Sequence, residues 1–202
     1  GKPYYRFANS LKKLNITFDS LLPEDITDYE GSLVLTTKKE APKNCKKPIM
    51  YEDVFDNHIT IIRAMMIQKL NLDFQEDELV LGVDPGQRMG LSVLYSGREI
   101  ENSLHSSVEK LVMHIVTILG KLGAKRKIVK IGNGNMDIAK EICDMLNLKY
   151  CSSFELEFVD EKRTSPRMKN YNQRGKRDML AAKFISQREG YRHFILPLSM
   201  TG

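Results

Sequence analysis

The sequence has no apolar stretch of the length that a membrane-spanning helix needs, about 20 consecutive residues. Its first residues, Gly1 to Tyr4, lack the apolar core of a secretory signal. Cysteine is scarce, and Cys45, Cys143 and Cys151 include no C-x-x-C pair, so the cysteines indicate neither a zinc site nor a disulfide framework. These absences predict a soluble, cytoplasmic protein with reduced thiols and no membrane partner.

The composition is that of a globular protein with a mild excess of positive charge. The chain has 202 residues, of which 42% are hydrophobic and 28% charged, which is enough for a substantial core in one domain or two. Its net charge is +5 and its isoelectric point is near 9.0. A charge of this size is compatible with an anionic partner, but it also serves solubility.

Basic residues are concentrated between Glu161 and Arg188, where acidic neighbours are few. Clustered lysine and arginine gain affinity for nucleic acid by displacing counterions from its phosphates, so we predict a phosphate-facing surface. The alternative is a solvated basic loop. The candidate nucleic-acid-binding residues are Lys162, Arg163, Arg167, Lys169, Arg174, Lys176 and Arg177.

Residues 1–77 are predicted to form a small α+β module of unknown role, because they mix short helical and strand patterns around a lysine-rich loop at 38–47. The predicted elements are helices at 5–14 and 51–70 and a strand at 31–37. The acidic run at 73–78 interrupts the apolar pattern and marks the boundary to a second domain, residues 78–202.

The second domain has a sharper pattern. A continuous apolar run at 79–83 predicts a strand covered on both faces, and a hairpin signal at Ser96-Gly97 joins the next two strands. Helices and strands then alternate. The predicted strands are 79–83, 91–95, 98–104, 127–131 and 154–159, and the predicted helices are 108–122, 136–146 and 176–188. This order predicts an α/β fold with a mixed five-stranded sheet flanked by helices.

Four acidic residues occupy positions from which ligands of α/β sheets are usually held. Asp84 follows the first strand, and Asp160 and Glu161 follow the last one, at the strand ends where such sheets bind ligands. Asp178 lies near the start of the final helix, on a face of small and apolar residues. Each has an ordinary alternative, which is a turn for Asp84, a charged strand end for the pair and a helix-dipole contact for Asp178.

Carboxylates that converge in this way suit hard divalent cations. Their oxygens can hold Mg²⁺ or Mn²⁺, and two ions about 3.5–4 Å apart can activate water and stabilise the leaving oxygen of a phosphodiester. We therefore predict a two-ion site in which Asp84, Asp160, Glu161 and Asp178 are catalytic candidates. The histidines at 105, 114 and 193 form no motif in the sequence, and no role is predicted for them.

Several segments resemble the RuvC/YqgF branch of Holliday-junction resolvase-like nucleases, over about residues 78–190. Residues 81–86 (LGVDPG) are similar to the opening strand of RuvC resolvases, and residues 160–164 (DEKRT) to the Asp-Glu-Arg-x-Ser/Thr motif of YqgF proteins. Residues 175–182 (GKRDMLAA) resemble the start of the last helix of that family, and residues 135–137 (NMD) match a motif after its fourth strand.

This resemblance implies a ribonuclease H-like fold, divalent-metal catalysis, and precursor ribosomal RNA or branched DNA as substrate. It also implies that Asp84, Asp178 and either Glu161 or Asp160 are the metal ligands. RuvC proteins carry a glutamate at the end of the fourth strand, where this chain has Gly132-Asn133-Gly134. That departure favours the YqgF side. RuvC-type resolvases work as dimers and YqgF-like chains need not, so a homodimer is an open alternative.

Two other functions are compatible with the same residues. A catalytically inactive nucleic-acid-binding module would retain the fold and the basic loop without the chemistry. An actin-like ATPase domain also begins with an apolar strand, Asp and Gly, but it needs two related domains and a second phosphate loop, for which this chain is short.

Overall fold

The computed structural model describes residues 1–26, 29–70, 78–149, 154–161 and 174–193. The chain divides into two compact units, Gly1–Phe74 and Gln75–Gly202. The division falls within the acidic run in which the sequence places the domain boundary. Along the described parts of the chain, no helix combines the length and the apolar character needed to cross a membrane.

Among its described residues, the first unit contains two α-helices, two short 3-10 helices (Pro23–Ile26 and Glu52–Asp56) and a small parallel sheet. Its elements are α1 (Lys2–Lys13), β1 (Val34–Thr36), β2 (Ile49–Tyr51) and α2 (Ile59–Leu70). The apolar face of α1 packs with Met50 of β2, with Phe55 and with Met66 of α2, and the rings of Phe7 and Phe55 meet edge to face at 4.8 Å. This core explains why the segment folds as a unit of its own.

The single helix predicted at 51–70 is wrong in its first half. Glu52–Asp56 forms a short 3-10 helix, Asn57 is extended, and α2 begins only at Ile59. The Asn57 side chain donates a hydrogen bond of 2.9 Å to the Val54 carbonyl, which ends the 3-10 helix. Strand β2 was also missed, because its pairing with β1 depends on a partner distant in sequence.

The second unit is built around a six-stranded mixed sheet in the order β5-β4-β3-β6-β7-β8. Strands β3, β6 and β7 run parallel, and β4, β5 and β8 are antiparallel to their neighbours. The strands are β3 (Glu78–Asp84), β4 (Met89–Tyr95), β5 (Arg98–His105), β6 (Arg126–Gly132), β7 (Glu155–Val159) and β8 (Tyr191–His193); the helices are α3 (Val108–Lys121), α4 (Met136–Lys149) and α5 (Arg174–Gln187).

The predicted mixed α/β architecture with helices on the sheet is confirmed, and the sheet has one strand more than the five predicted. Strand β8 has only three residues, which is too short to produce a readable alternation. Helix α5 packs on the sheet face that carries Gly82. Leu79, Leu81 and Val83 point to the other face, where α3 packs against α4, and all three are fully buried.

Candidate functional site

Three of the predicted acidic residues meet at one edge of the large sheet. Because β3, β6 and β7 are parallel, their carboxyl ends lie along the same edge. Asp84 ends β3, Glu161 follows β7, and Asp178 lies in the second turn of α5. The charges of Glu161 and Asp178 both act on Asp84, so these side chains are electrostatic neighbours.

The electrostatics of this edge are most evident at Asp84. Burial, together with the nearby carboxylates of Glu161 and Asp178, raises the pKa of its carboxyl to about 7, and Arg177 acts in the opposite direction. Repulsion among carboxylates and loss of solvation both disfavour the ionised acid. A cation placed between these groups would reverse both effects.

Glycines on β3 and β4 allow α5 to approach the sheet closely. A side chain at Gly82 would overlap the backbone of Ala182 and Ser186, and one at Gly90 would overlap the backbone of Asp178. Gly90 is paired with Asp84 across the β3–β4 ladder. Helix α5 therefore rests directly on this part of the sheet and holds Asp178 beside Asp84, on the same face.

Glu161 is held at the end of β6 rather than beside its own strand. The Gly134 N–H donates a hydrogen bond of 2.9 Å to Glu161 Oε1, and the Glu161 N–H donates one of 3.0 Å to Asn133 Oδ1. A side chain at Gly132 or Gly134 would overlap the Glu161 carboxylate. The Gly-Asn-Gly segment therefore provides both the space and the hydrogen bonds that position this acid.

The structure also distinguishes Asp160 from Glu161, which the sequence left open. Asn133 Nδ2 donates a hydrogen bond of 3.5 Å to Asp160 Oδ1, and Arg188 Nη1 donates one of 3.3 Å to the Asp160 carbonyl. The carboxylate of Glu161 contributes to the raised pKa of Asp84. Glu161 is thus the member of the pair that belongs with Asp84.

Two basic side chains, Arg88 and Arg177, lie near the acidic cluster, and Arg88 was not identified from the sequence. Arg88, in the β3–β4 turn, places Nη2 3.9 Å from Asp178 Oδ2 and is half exposed. Lys176 and Arg177 are exposed at the start of α5. The charge of Arg177 acts on Asp84 and lowers its pKa. The other basic candidates, Lys162, Arg163, Arg167 and Lys169 and the side chain of Arg174, lie outside the described residues.

Neither Arg88 nor Asn133 was identified from the sequence, because neither belongs to a recognisable motif. The only clue was the pair of glycines around Asn133 at a strand end, where close approach of another group is a common reason for glycine. The Gly-Asn-Gly segment is more than a departure from the RuvC pattern, because it positions Glu161.

The donor set fits Mg²⁺ or Mn²⁺ chemically, since carboxylate oxygens are the ligands that these hard cations prefer. The spacing is wider than one ion requires. Among the described residues, the oxygens of Asp84, Glu161 and Asp178 do not all lie within 4.8 Å of one another. Two ligands of one Mg²⁺ are at most about 4.2 Å apart. One ion could therefore contact all three only after side-chain rotation, whereas a pair of ions could be shared among them.

No protein-family model matches this sequence, and no curated protein is significantly similar to it.

Proposed function

We propose that residues 78–202 are a ribonuclease H-like domain of the RuvC/YqgF type, which cleaves phosphodiester bonds in structured nucleic acid with Mg²⁺ or Mn²⁺. The observation that carries this proposal is that Asp84, Glu161 and Asp178 come from separate elements and meet at one edge of the sheet, where the two other carboxylates act on Asp84. The hairpin meander followed by helical crossovers also supports it, because this is the element order that the resemblance implies. Precursor ribosomal RNA and branched DNA are the substrates to test.

Asp84, Glu161 and Asp178 would hold the ions. Bound ions would supply an activated water and stabilise the charge of the leaving oxygen. The protein's own part is to keep these carboxylates in place. Gly134 and Asn133 orient Glu161, and the contact of α5 with Gly90 orients Asp178.

The basic residues near the cluster would bind the nucleic-acid backbone. Arg88 is half exposed, and Lys176 and Arg177 are exposed, so phosphates can reach them. Charge-assisted hydrogen bonds from arginine suit phosphate oxygens, and they would hold the scissile phosphate next to the carboxylates. Lys162, Arg163, Arg167, Lys169 and Arg174 remain part of this proposal from the sequence.

Mn²⁺ titration together with a cleavage assay tests this function. Purified protein is incubated in Mg²⁺ with labelled four-way junctions and with precursor ribosomal RNA, and Mn²⁺ binding is measured by calorimetry. We expect Asp84→Asn and Asp178→Asn to lose both cleavage and Mn²⁺ binding. Asp144→Asn is the matched control, because Asp144 is an exposed acid on α4. Cleavage that persists in Asp178→Asn would contradict this site.

The second candidate is a catalytically inactive nucleic-acid-binding module. The observation that favours it is the spacing of the carboxylate oxygens, which is wider than a single metal ion requires. It predicts salt-dependent nucleic-acid binding that is unchanged by EDTA and no cleavage in Mg²⁺ or Mn²⁺. ATP hydrolysis in the absence of nucleic acid would instead indicate the actin-like ATPase, and sedimentation on a four-way junction would show whether two copies bind.

A further inference from the structure

Strand β5 carries polar side chains at positions where an apolar face is expected. Residues 101, 103 and 105 point to the same side of the sheet, because side chains alternate along a strand. Their partners on β4 are Val93, Leu91 and Met89, which are buried and apolar. On β5 the same row reads Glu101, Ser103 and His105.

These polar residues form a connected cluster with His114 of α3. His114 Nε2 lies 2.9 Å from both carboxylate oxygens of Glu101, and Ser103 Oγ donates a hydrogen bond of 2.5 Å to Glu101 Oε1. Ser103 Oγ is also 3.0 Å from His105 Nε2. The side chains of His114 and Glu101 are only 13% and 9% exposed, so this cluster lies at the rim of the core.

Stability alone does not account for such a cluster. A nearly buried, hydrogen-bonded pair of an imidazole and a carboxylate is expensive to desolvate, and the replacement of such polar pairs by apolar residues is often neutral or stabilising. The α3-facing side of β4 shows that apolar residues are accommodated in the adjacent row. Where a sequence departs from its own hydrophobic pattern without a gain in packing, a functional site is a common reason.

The geometry is close to that of a transition-metal site. Among the described residues, the ligand atoms of Glu101, His105 and His114 do not all lie within 4.8 Å of one another, so His105 has to turn to complete the set. Two imidazoles on one tetrahedral Zn²⁺, with Zn–N bonds of about 2.0 Å, have ring centres about 5 Å apart. The centres of the His105 and His114 rings are 5.5 Å apart. A carboxylate that faces one of these rings supplies a third ligand, and two histidines with a glutamate are a known zinc donor set.

We propose that Glu101, His105 and His114 form a binding site for a divalent transition-metal ion of the zinc class. In this site the ion lies between His114 Nε2 and the Glu101 carboxylate, and His105 turns from Ser103 to complete the set. Ser103 then remains hydrogen-bonded to Glu101 and orients it. Imidazole nitrogens select softer cations than the oxygens around Asp84, so the two sites bind different metals. This proposal is independent of the proposed nuclease function.

The test is metal binding to the full chain after treatment with EDTA and desalting. Zn²⁺ affinity is measured by competition with a chromogenic chelator in the presence of excess Mg²⁺, and Co²⁺ is used as a spectroscopic probe. The variants are Glu101→Gln, His105→Gln and His114→Gln, because glutamine retains a polar side chain of similar reach. Asp84→Asn is the control, since it changes the other metal site. Circular dichroism confirms that each variant folds.

We expect one Zn²⁺ per chain. When Co²⁺ occupies the site, its absorption spectrum should show the visible bands of a cobalt ion bound by nitrogen ligands. Each of the three variants should weaken Zn²⁺ binding by about 10–100-fold or more, and Ser103→Ala by about tenfold. Asp84→Asn should bind Zn²⁺ as the wild type does. If His114→Gln fails to fold, His105→Gln decides the matter, because it changes the more peripheral ligand at the end of β5. Zn²⁺ affinity that is unchanged in His105→Gln, lost in Asp84→Asn or undetectable in the wild type would overturn the proposal.

Discussion

The backbone N–H of Gly134 donates a hydrogen bond of 2.9 Å to Oε1 of Glu161. Because of this contact, the carboxylate of Glu161, a residue that follows β7, lies at the end of β6. In the RuvC pattern the end of the fourth strand itself supplies a glutamate. Here the fourth strand of the large sheet, β6, ends in glycine, and the neighbouring strand supplies the carboxylate at that position. The end of β6 therefore has a carboxylate beside it, although its own residues provide none.

Gly134→Ala should disturb Glu161 while leaving the fold intact. The three atoms nearest to a methyl group at this position would all belong to the Glu161 carboxylate, which it would overlap. Gly134 has no positive φ, so alanine is not strained there. We expect Mn²⁺ affinity to fall by about tenfold or more, measured by calorimetry.

Gly120→Ala is the matched control for that experiment. Gly120 lies on α3, and a methyl group there would meet no atom within 4 Å. We expect this variant to be more stable by about 0.5–1 kcal/mol, because alanine favours a helix, and to bind Mn²⁺ unchanged. Equal Mn²⁺ affinity in both alanine variants would contradict the role given to Gly134.

Metal binding should depend on pH through Asp84. Burial and the neighbouring carboxylates raise its pKa to about 7, so the proton competes with the metal below that pH. We expect Mn²⁺ affinity to increase as the pH rises to about 7 and to level off above it. A flat affinity profile from about pH 5 to about pH 8 would exclude Asp84 as a ligand.

The metal-free protein should lose stability over the same pH range. The folded pKa of Asp84 lies above the value of about 3.9 in the unfolded chain, so the folded state binds the proton more tightly. Stability therefore falls as the pH rises from about 4 to about 7, by on the order of 1–3 kcal/mol. Asp84→Asn should remove this fall. The measurement is urea denaturation in EDTA at several pH values.

Gly90→Ala should destabilise the domain and displace Asp178. A side chain at this position would overlap the backbone of Asp178 and lie 3.1 Å from Ala182 Cβ. Because α5 must move away from the sheet, we expect a loss of about 1–3 kcal/mol in urea denaturation. Mn²⁺ affinity should fall as well, since Asp178 moves with the helix. An unchanged Mn²⁺ affinity would show that Asp178 is not a ligand.

Arg126 offers a test of specificity, because it lies at the opposite edge of the sheet. Its guanidinium pairs with Glu78 at 3.0 Å and with Glu155 at 2.8 Å, at the amino ends of β3 and β7. Arg126→Gln should lower stability by about 0.5–1 kcal/mol and leave metal affinity and cleavage unchanged. Loss of cleavage without unfolding would indicate that the active edge of the sheet has been assigned wrongly.

Arg88→Gln should weaken nucleic-acid binding through a lost phosphate contact. The guanidinium is half exposed and lies 3.9 Å from Asp178, next to the acidic cluster. We expect the slope of log affinity against log salt to decrease by about one. Arg98→Gln is the control, because Arg98 is exposed at the β4–β5 turn, at the other edge. Similar effects of both variants would mean that binding is not directed to this site.

Much of the second unit was predictable because its pattern is local. The apolar run before Asp84 and the helical spacing of 108–122 locate elements without knowledge of their partners. The short strands β2 and β8 were not predictable, because three residues carry no periodicity and each strand exists only through its neighbour. The helix predicted at 51–70 is broken at Asn57, whose backbone and side-chain N–H groups both bond the Val54 carbonyl.

The sequence by itself determined the alternation of strands and helices and the placement of Asp84, Glu161 and Asp178 at element ends. It did so because hydrophobic periodicity and turn residues act over a few positions. Only the tertiary structure decided that Glu161 rather than Asp160 faces Asp84, and that Gly134 holds it. Those outcomes depend on contacts between residues 27 or more positions apart, which no local pattern encodes.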